Sequence, residues 1–160
     1  MFRSRAKQPS TVNASATLPI ARSPETVMSF LLDPVSAVMI GQFVHRSFHL
    51  PDTPTDAVGA QYVSLSWENG LLSAEVEELV DLEFPYRAVS VNRTTPGAIT
   101  VAYTCAPRAD GGTDYTQEVW IQAEGAYVDP LQEAFTRETL RCVSRIKEIL
   151  EGDEWRPNDV

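Results

Sequence analysis

The sequence predicts an α+β fold: an antiparallel sheet of about seven strands, two short helices after the first strand, and one long C-terminal helix. Three observations carry it. Residues 43–124 break into short runs of alternating apolar residues separated by turn residues. Residues 129–150 keep a helical apolar rhythm through Leu131, Ala134, Phe135, Cys142, Val143, Ile146, Ile149 and Leu150. Near the start, a capping residue is followed by proline twice, at Ser23-Pro24 and Asp33-Pro34.

The elements follow in order. Asn13 to Ala21 (NASATLPIA) is expected as the first strand. Ser23 then offers a capping oxygen, and Pro24 in the first helical position gives up no needed N–H. Asp33-Pro34 repeats the device and opens a second short helix, expected to end near Gly41. FVHRSFHL reads as a strand running into a Pro- and Asp-rich loop, PDTPTDAVG. YVSLSW ends at Glu68-Asn69-Gly70, where Asn-Gly marks a hairpin. LLSAEVEELV, a turn around Pro85 and YRAVSVNR come next. Thr95-Pro96-Gly97 turns the chain into AITVAYTCA, and Asp110-Gly111-Gly112 turns it into TDYTQEVWIQAE. Turns this short join neighbouring strands antiparallel. Asp129-Pro130 is expected to open the long helix, with Gln132 completing a capping box and Gly152 as the stop.

A chain of 160 residues has room for one domain with a substantial core. The expected boundaries are a flexible basic arm over 1–12, a single domain over 13–152, and an acidic tail over 153–160. Acids outnumber bases by 22 to 13, a net charge of −9. That excess argues against nucleic acid, whose phosphates need clustered Lys and Arg, and against an anionic membrane surface. No apolar stretch has the length of a membrane span. The opening MFRSRAKQPSTVNASA is basic with no apolar run behind it, so no secretory signal is expected and the predicted location is cytoplasmic.

The acids gather in residues 68–83, where Glu68, Glu75, Glu77, Glu78, Asp81 and Glu83 stand without a base. Strand alternation puts Leu72, Ala74, Val76, Val80, Leu82 and Phe84 on one face and most of the acids on the other. Glu78 falls on the apolar parity. Either a bulge shifts the register there or one carboxylate points inward, needing a partner or a raised pKa.

Other chemistry is sparse. His45 and His49 lie four apart, too far along a strand for one ion, and Cys105 and Cys142 fit no zinc spacing, so no metal is expected. Neither cysteine has a histidine beside it, and no nucleophile elbow is present. Glu77 and Glu78, adjacent on a strand, face opposite ways and cannot act as a pair. The polar groups that parity offers to an inner face are Arg46, Tyr62, Glu78, Tyr103 and Gln117. For YVSLSW the inward parity is ambiguous, since Tyr62 and Trp67 lie on opposite faces.

Several segments, taken together and in order, resemble the START-related superfamily, also called SRPBCC or birch-pollen-allergen-like, in its bacterial polyketide cyclase/dehydrase branch. They are SPETVMSFLLDP; Gly59 before the strand of Tyr62; AEVEELV with PYRAVSV; and ITVAYTCAPRADGGTDYTQEVW, with Thr116 where the family commonly has threonine. The final amphipathic helix completes the set, which spans roughly residues 13–150. One departure is that SAVMIGQFV lacks the tryptophan many relatives carry there. The resemblance implies a helix-grip fold, a curved sheet around the C-terminal helix with an apolar cavity between them. It implies a hydrophobic small-molecule ligand, lipid-, quinone- or polyketide-like, without a further cofactor, in a monomer or homodimer. Val76, Val101, Val119, Leu131 and Phe135 would be apolar walls, with Arg46, Glu78 and Tyr103 as polar anchors and Tyr62 and Gln117 beside them. Two other functions stay open on the same fold: a polyketide aromatase/cyclase or dehydratase, and a protein-interaction module using the acidic hairpin.

Overall fold

A computed structural model describes residues 10–94, 97–123 and 127–156. Its elements are β1 (Ser10–Ile20), α1 (Pro24–Leu32), α2 (Val35–Ile40), β2 (Val44–His49), β3 (Gln61–Glu68), β4 (Leu71–Glu83), β5 (Arg87–Asn92), β6 (Ile99–Pro107), β7 (Thr113–Ala123) and α3 (Val128–Glu151). The strands form one curved seven-stranded sheet in the order β1-β7-β6-β5-β4-β3-β2, antiparallel throughout. Among the described residues no helix is long and apolar enough to cross a membrane.

The turns follow from their residues. Asn69 and Gly70 both take positive φ (50° and 78°), as the two-residue turn between β3 and β4 requires. The Asp110 carboxylate accepts a hydrogen bond from the Gly112 N–H (3.0 Å), tying the turn from β6 into β7. In the turn expected at Thr95-Pro96-Gly97, residues 95 and 96 lie outside the described residues.

α1 begins at its expected cap, whereas the residue before α2 is Pro34, with Asp33 one position further back. Ser23 Oγ accepts from the Thr26 N–H at the head of α1. Asp33 Oδ1 accepts from the Val35 N–H (2.9 Å) at the head of α2, and its Oδ2 accepts from the Trp155 indole N–H (3.1 Å). The Trp155 ring also meets Phe30 edge-on, with centroids 5.2 Å apart. The chain after α3, expected as the start of an acidic tail, is thus docked on the α1–α2 corner as far as Trp155. At the other end β1 starts at Ser10, ahead of the expected Asn13, and Val12 is fully buried.

The long helix departs from its expected cap. α3 starts at Val128 after Tyr127, which makes no side-chain cap, so Asp129 lies inside the first turn. Gln132 serves the sheet instead of a capping box. Its Nε2 donates to the Asn13 carbonyl (2.6 Å) and its Oε1 accepts from the Asn13 N–H (3.4 Å). β1 is an edge strand, and the glutamine satisfies backbone groups that the sheet leaves open. Further along, Val143, Ile146, Ile149 and Leu150 pack into a core with Ile20, Val27, Met28, Phe30, Leu79, Cys105 and Tyr115.

β4 decides which side chains face α3. Its pairing with β5 slips between Leu79 and Asp81, a β-bulge that reverses the alternation. The slip lets Leu79 (2% exposed) and Leu82 both reach the core. Before the bulge the inward positions are therefore odd. Glu77 faces in, opposite Tyr62, while Val76 and Glu78 face out, opposite Val63 and Gln61. The outer face of β3 and β4 is correspondingly apolar: Val63 pairs with Val76, and Trp67 with Leu72.

Candidate functional site

Small and polar residues on the inner face of β2–β7 leave a hollow beneath α2 and α3. The cavity measures about 230 Å³. Its floor is Ser47, Tyr62, Ser64, Glu77, Leu79, Ser90, Tyr103 and Gln117 from the strands. Leu31 and Leu32 from α1, Ala37 and Ile40 from α2, and Ile146 from α3 supply apolar walls. Glu138, Arg141 and Cys142 of α3 also line it. The sheet thus gives the hydrogen-bonding side and the helices most of the apolar side.

Glu77 is the centre of the floor. Its Oε1 accepts hydrogen bonds from Ser90 Oγ and from the Tyr103 hydroxyl, the latter at 3.4 Å. Burial pushes its carboxyl above the ordinary carboxylate range, and the neighbouring Glu75 adds to this; the two hydroxyl donors pull the other way without cancelling it. Tyr103 is held well above its usual value by burial and by Glu77, so it stays a neutral donor. Burial, with Asp56 and Glu77 nearby, pushes the Tyr62 phenol up to about 12.

Two buried polar atoms have no hydrogen-bond partner among the described residues: His49 Nε2 and the Tyr62 hydroxyl. Their rings meet edge-on at 5.3 Å across β2 and β3. A buried hydroxyl without a partner is costly, so an unpartnered one on a cavity wall is a place for a ligand or water to bond.

Among the described residues the cation lining the cavity is Arg141, and it is occupied. Arg141 holds Glu138 through Nε (2.9 Å) and Nη2 (2.6 Å), and its Nη1 donates to the Ile40 carbonyl (3.0 Å) at the end of α2. Both cysteines are free; burial pushes the Cys105 thiol up to about 12 and the Cys142 thiol up to about 11, too high for a neutral-pH nucleophile. No group of residues suited to a metal ion occurs among the described residues.

Of the residues expected at the site, Tyr62, Tyr103 and Gln117 line the cavity, and Gln117 Oε1 accepts from the Tyr115 hydroxyl (3.1 Å). Glu78 does not, because the β4 bulge gives the inward position to Glu77. The same parity reversal turns Val76 outward. Arg46 is exposed on the outer face with its guanidinium over the Phe48 ring (5.4 Å), and β2 carries its own register shift between Val44 and Arg46. Val101 and Val119 are cross-strand partners on the inner face, yet neither reaches the cavity wall. Leu131 and Phe135 are half-buried in the N-terminal half of α3, whereas the cavity takes only residues 138–146 of that helix. Within the acidic run Glu68, Glu75, Asp81 and Glu83 are exposed, as the alternation expects, and it is Glu77 that turns to the cavity. Glu75 shares the inner side with Glu77 and accepts from Asn92 Nδ2 (3.1 Å). Glu77, Ser47, Ser64, Ser90 and Arg141 were not anticipated. The available signal was the pair Leu79-Val80, two adjacent apolar residues that break strict alternation.

No protein-family model matches the chain, and no curated protein does either. Solved structures match its shape. A START superfamily protein from Mycobacterium smegmatis superposes with a TM-score of 0.70 at 12% identity, over 88% of this chain and 97% of that one. The chain has the START-like helix-grip fold. A protein of unknown function from Staphylococcus aureus shares this fold, with a TM-score of 0.79 at 10% identity over 93% of this chain and 99% of that one. The di-domain ARO/CYC of the steffimycin biosynthetic pathway matches with a TM-score of 0.69 at 12% identity. There 90% of this chain covers 52% of the other, so the chain spans about half of that di-domain protein. At such identities the likeness is one of helix-grip architecture, and function rests on the cavity itself.

Proposed function

We propose that the protein binds a small, largely apolar molecule with one polar edge, seated between the sheet and α2–α3. The observation that carries this is the division of the cavity: a hydrogen-bonding floor with an unpartnered Tyr62 hydroxyl, facing an apolar roof of Leu31, Ile40 and Ile146. Its volume lies below the roughly 300–1,000 Å³ of pockets for drug-sized ligands. A compact quinone- or phenol-sized molecule suits it better than a full-length lipid. The setting in this reading is cytoplasmic.

A second reading is acid–base catalysis of the cyclase or dehydratase type. It is favoured by Glu77, whose buried carboxyl with a raised pKa sits within hydrogen-bond reach of Tyr103. The ARO/CYC proteins of matching fold lend it support.

Thermal unfolding against a panel of quinones, phenols, single-ring amides and fatty acids tests the binding reading. A ligand at a hundred times its Kd stabilises by about 2.7 kcal/mol, equivalent to roughly 5–11 °C in a domain of this size. Tyr62→Phe should leave the unliganded protein at least as stable as wild type, since the hydroxyl it removes is buried without a partner, and should weaken the ligand by about 2–10-fold. A panel without a single shift would refute binding. Turnover of a bound ketone that disappears in Glu77→Gln while binding persists would favour catalysis.

A further inference from the structure

We propose, building on the ligand-binding reading, that the cavity selects an organic cation: a single ring bearing a positively charged N–H group, with Glu77 as its counter-ion.

Glu77 is a carboxyl group without a counter-charge among the described residues. Among the described residues Glu77 takes part in no ion pair. Its two donors, Ser90 and Tyr103, are neutral and both bind Oε1. Oε2 has no hydrogen bond among the described residues, and Glu77 lines the cavity. Buried carboxylates are ordinarily paired. Here the pairing group is left for something that enters.

The surroundings favour positive charge. Asp33 lies between α1 and α2 on the cavity wall, Glu75 precedes Glu77 on the same face of β4, and Asp56 acts on Tyr62 from the loop before β3. Among the described residues the other charged groups on the wall are Glu138 and Arg141 of α3, which pair with one another. An anionic ligand would meet only repulsion at the floor. A neutral carbonyl would accept from the Tyr62 hydroxyl but leave Glu77 without a counter-charge.

Geometry supplies a second contact. Tyr62 stands directly opposite Glu77 in the β3–β4 register, which brings cross-strand side chains to about 4.5–5.5 Å at Cβ. Its unpartnered hydroxyl oxygen accepts one N–H while Glu77 Oε2 accepts another. A planar amidinium, with N–H groups on two nitrogens, matches that pair. The cavity volume equals that of about eight waters, room for one six-membered ring against Ile40 and Ile146.

Isothermal titration of the full chain at pH 7 with benzamidine, benzamide and benzoate tests the charge directly. The expected order is benzamidine tightest, benzamide weaker by at least about tenfold, and benzoate weakest, since hydrogen bonds to charged groups exceed neutral ones by that margin. Glu77→Gln should close the gap between benzamidine and benzamide, and Glu78→Gln, on the outer face, should leave it open. Circular dichroism of each variant controls for folding, and Tyr62→Phe should weaken benzamidine in a protein whose Glu77 is intact. Benzamide binding as tightly as benzamidine, or a gap that survives Glu77→Gln, would overturn the cation assignment and leave the ligand-binding reading standing. No binding by any of the three at millimolar concentration would overturn the cation assignment, and the thermal-unfolding panel would then decide whether the ligand-binding reading stands.

Discussion

Ile146→Ala is expected to destabilise the protein by about 2–5 kcal/mol and to widen the cavity towards α3. Ile146 is 1% exposed, yet it also lines the hollow, so it belongs to the core and to the candidate site at once. Truncation removes dispersion contacts with the core and leaves a void that the rigid sheet cannot collapse to fill. Each kcal/mol corresponds to roughly 2–4 °C in Tm for a domain of this size. Urea denaturation should show a lower midpoint with an unchanged slope, and ligands one or two carbons larger should gain affinity relative to wild type. A loss below about 1 kcal/mol would mean that α3 does not close over the hollow.

Glu77→Gln is expected to stabilise the unliganded protein at pH 7, the opposite of what removing a useful ionic group does. The sign follows from the direction of its shift. The folded state raises this carboxyl's pKa above the ordinary 4.5, so it holds the proton more tightly than the unfolded chain does. That contribution is fully present below the unfolded pKa. It is lost as pH rises through the folded pKa, leaving a penalty for the charged form at neutral pH. The amide keeps an acceptor for Ser90 and Tyr103 and carries no charge to desolvate. Chemical denaturation of both proteins from pH 4 to 8 should show the variant's advantage growing with pH. Glu78→Gln, on the outer face of β4, should stay within about 0.5 kcal/mol throughout.

The architecture was legible because its signals are local. Ser23-Pro24, Asn69-Gly70 and Asp110-Gly112 each determine a cap or turn through their own backbone and side chains, and α3's apolar stripe is one continuous rhythm. The site was harder to read because its facing depends on single-residue slips. The six acids of residues 68–83 were expected to alternate with apolar residues, leaving Glu78 as the odd one out. A bulge, one of the two alternatives that the parity of Glu78 implies, is present, and it turns Glu77 inward and Glu78 outward. The gain that selects this register is burial of both Leu79 and Leu82, a tertiary term that no period-two count contains. β2 repeats the lesson at Arg46. Leu131 and Phe135 illustrate a different limit: a helical stripe identifies which face is buried, not where along the helix the opposing strands carry residues small enough to leave a hollow. Ser47, Ser64 and Ser90 make that space, and their smallness has meaning only once the strands are side by side.

The central claim is that Glu77 is the enclosed carboxylate on which the cavity is organised. Its most direct test is a carbon-13 NMR titration that follows the Glu77 carboxyl carbon from pH 2 to 9, assigned by its absence in Glu77→Gln. Protonation centred above the ordinary 4.5, moving downward when a cationic ligand is bound, is the predicted result. A carboxyl that titrates at or below that value in the free protein, unmoved by such a ligand, would contradict it.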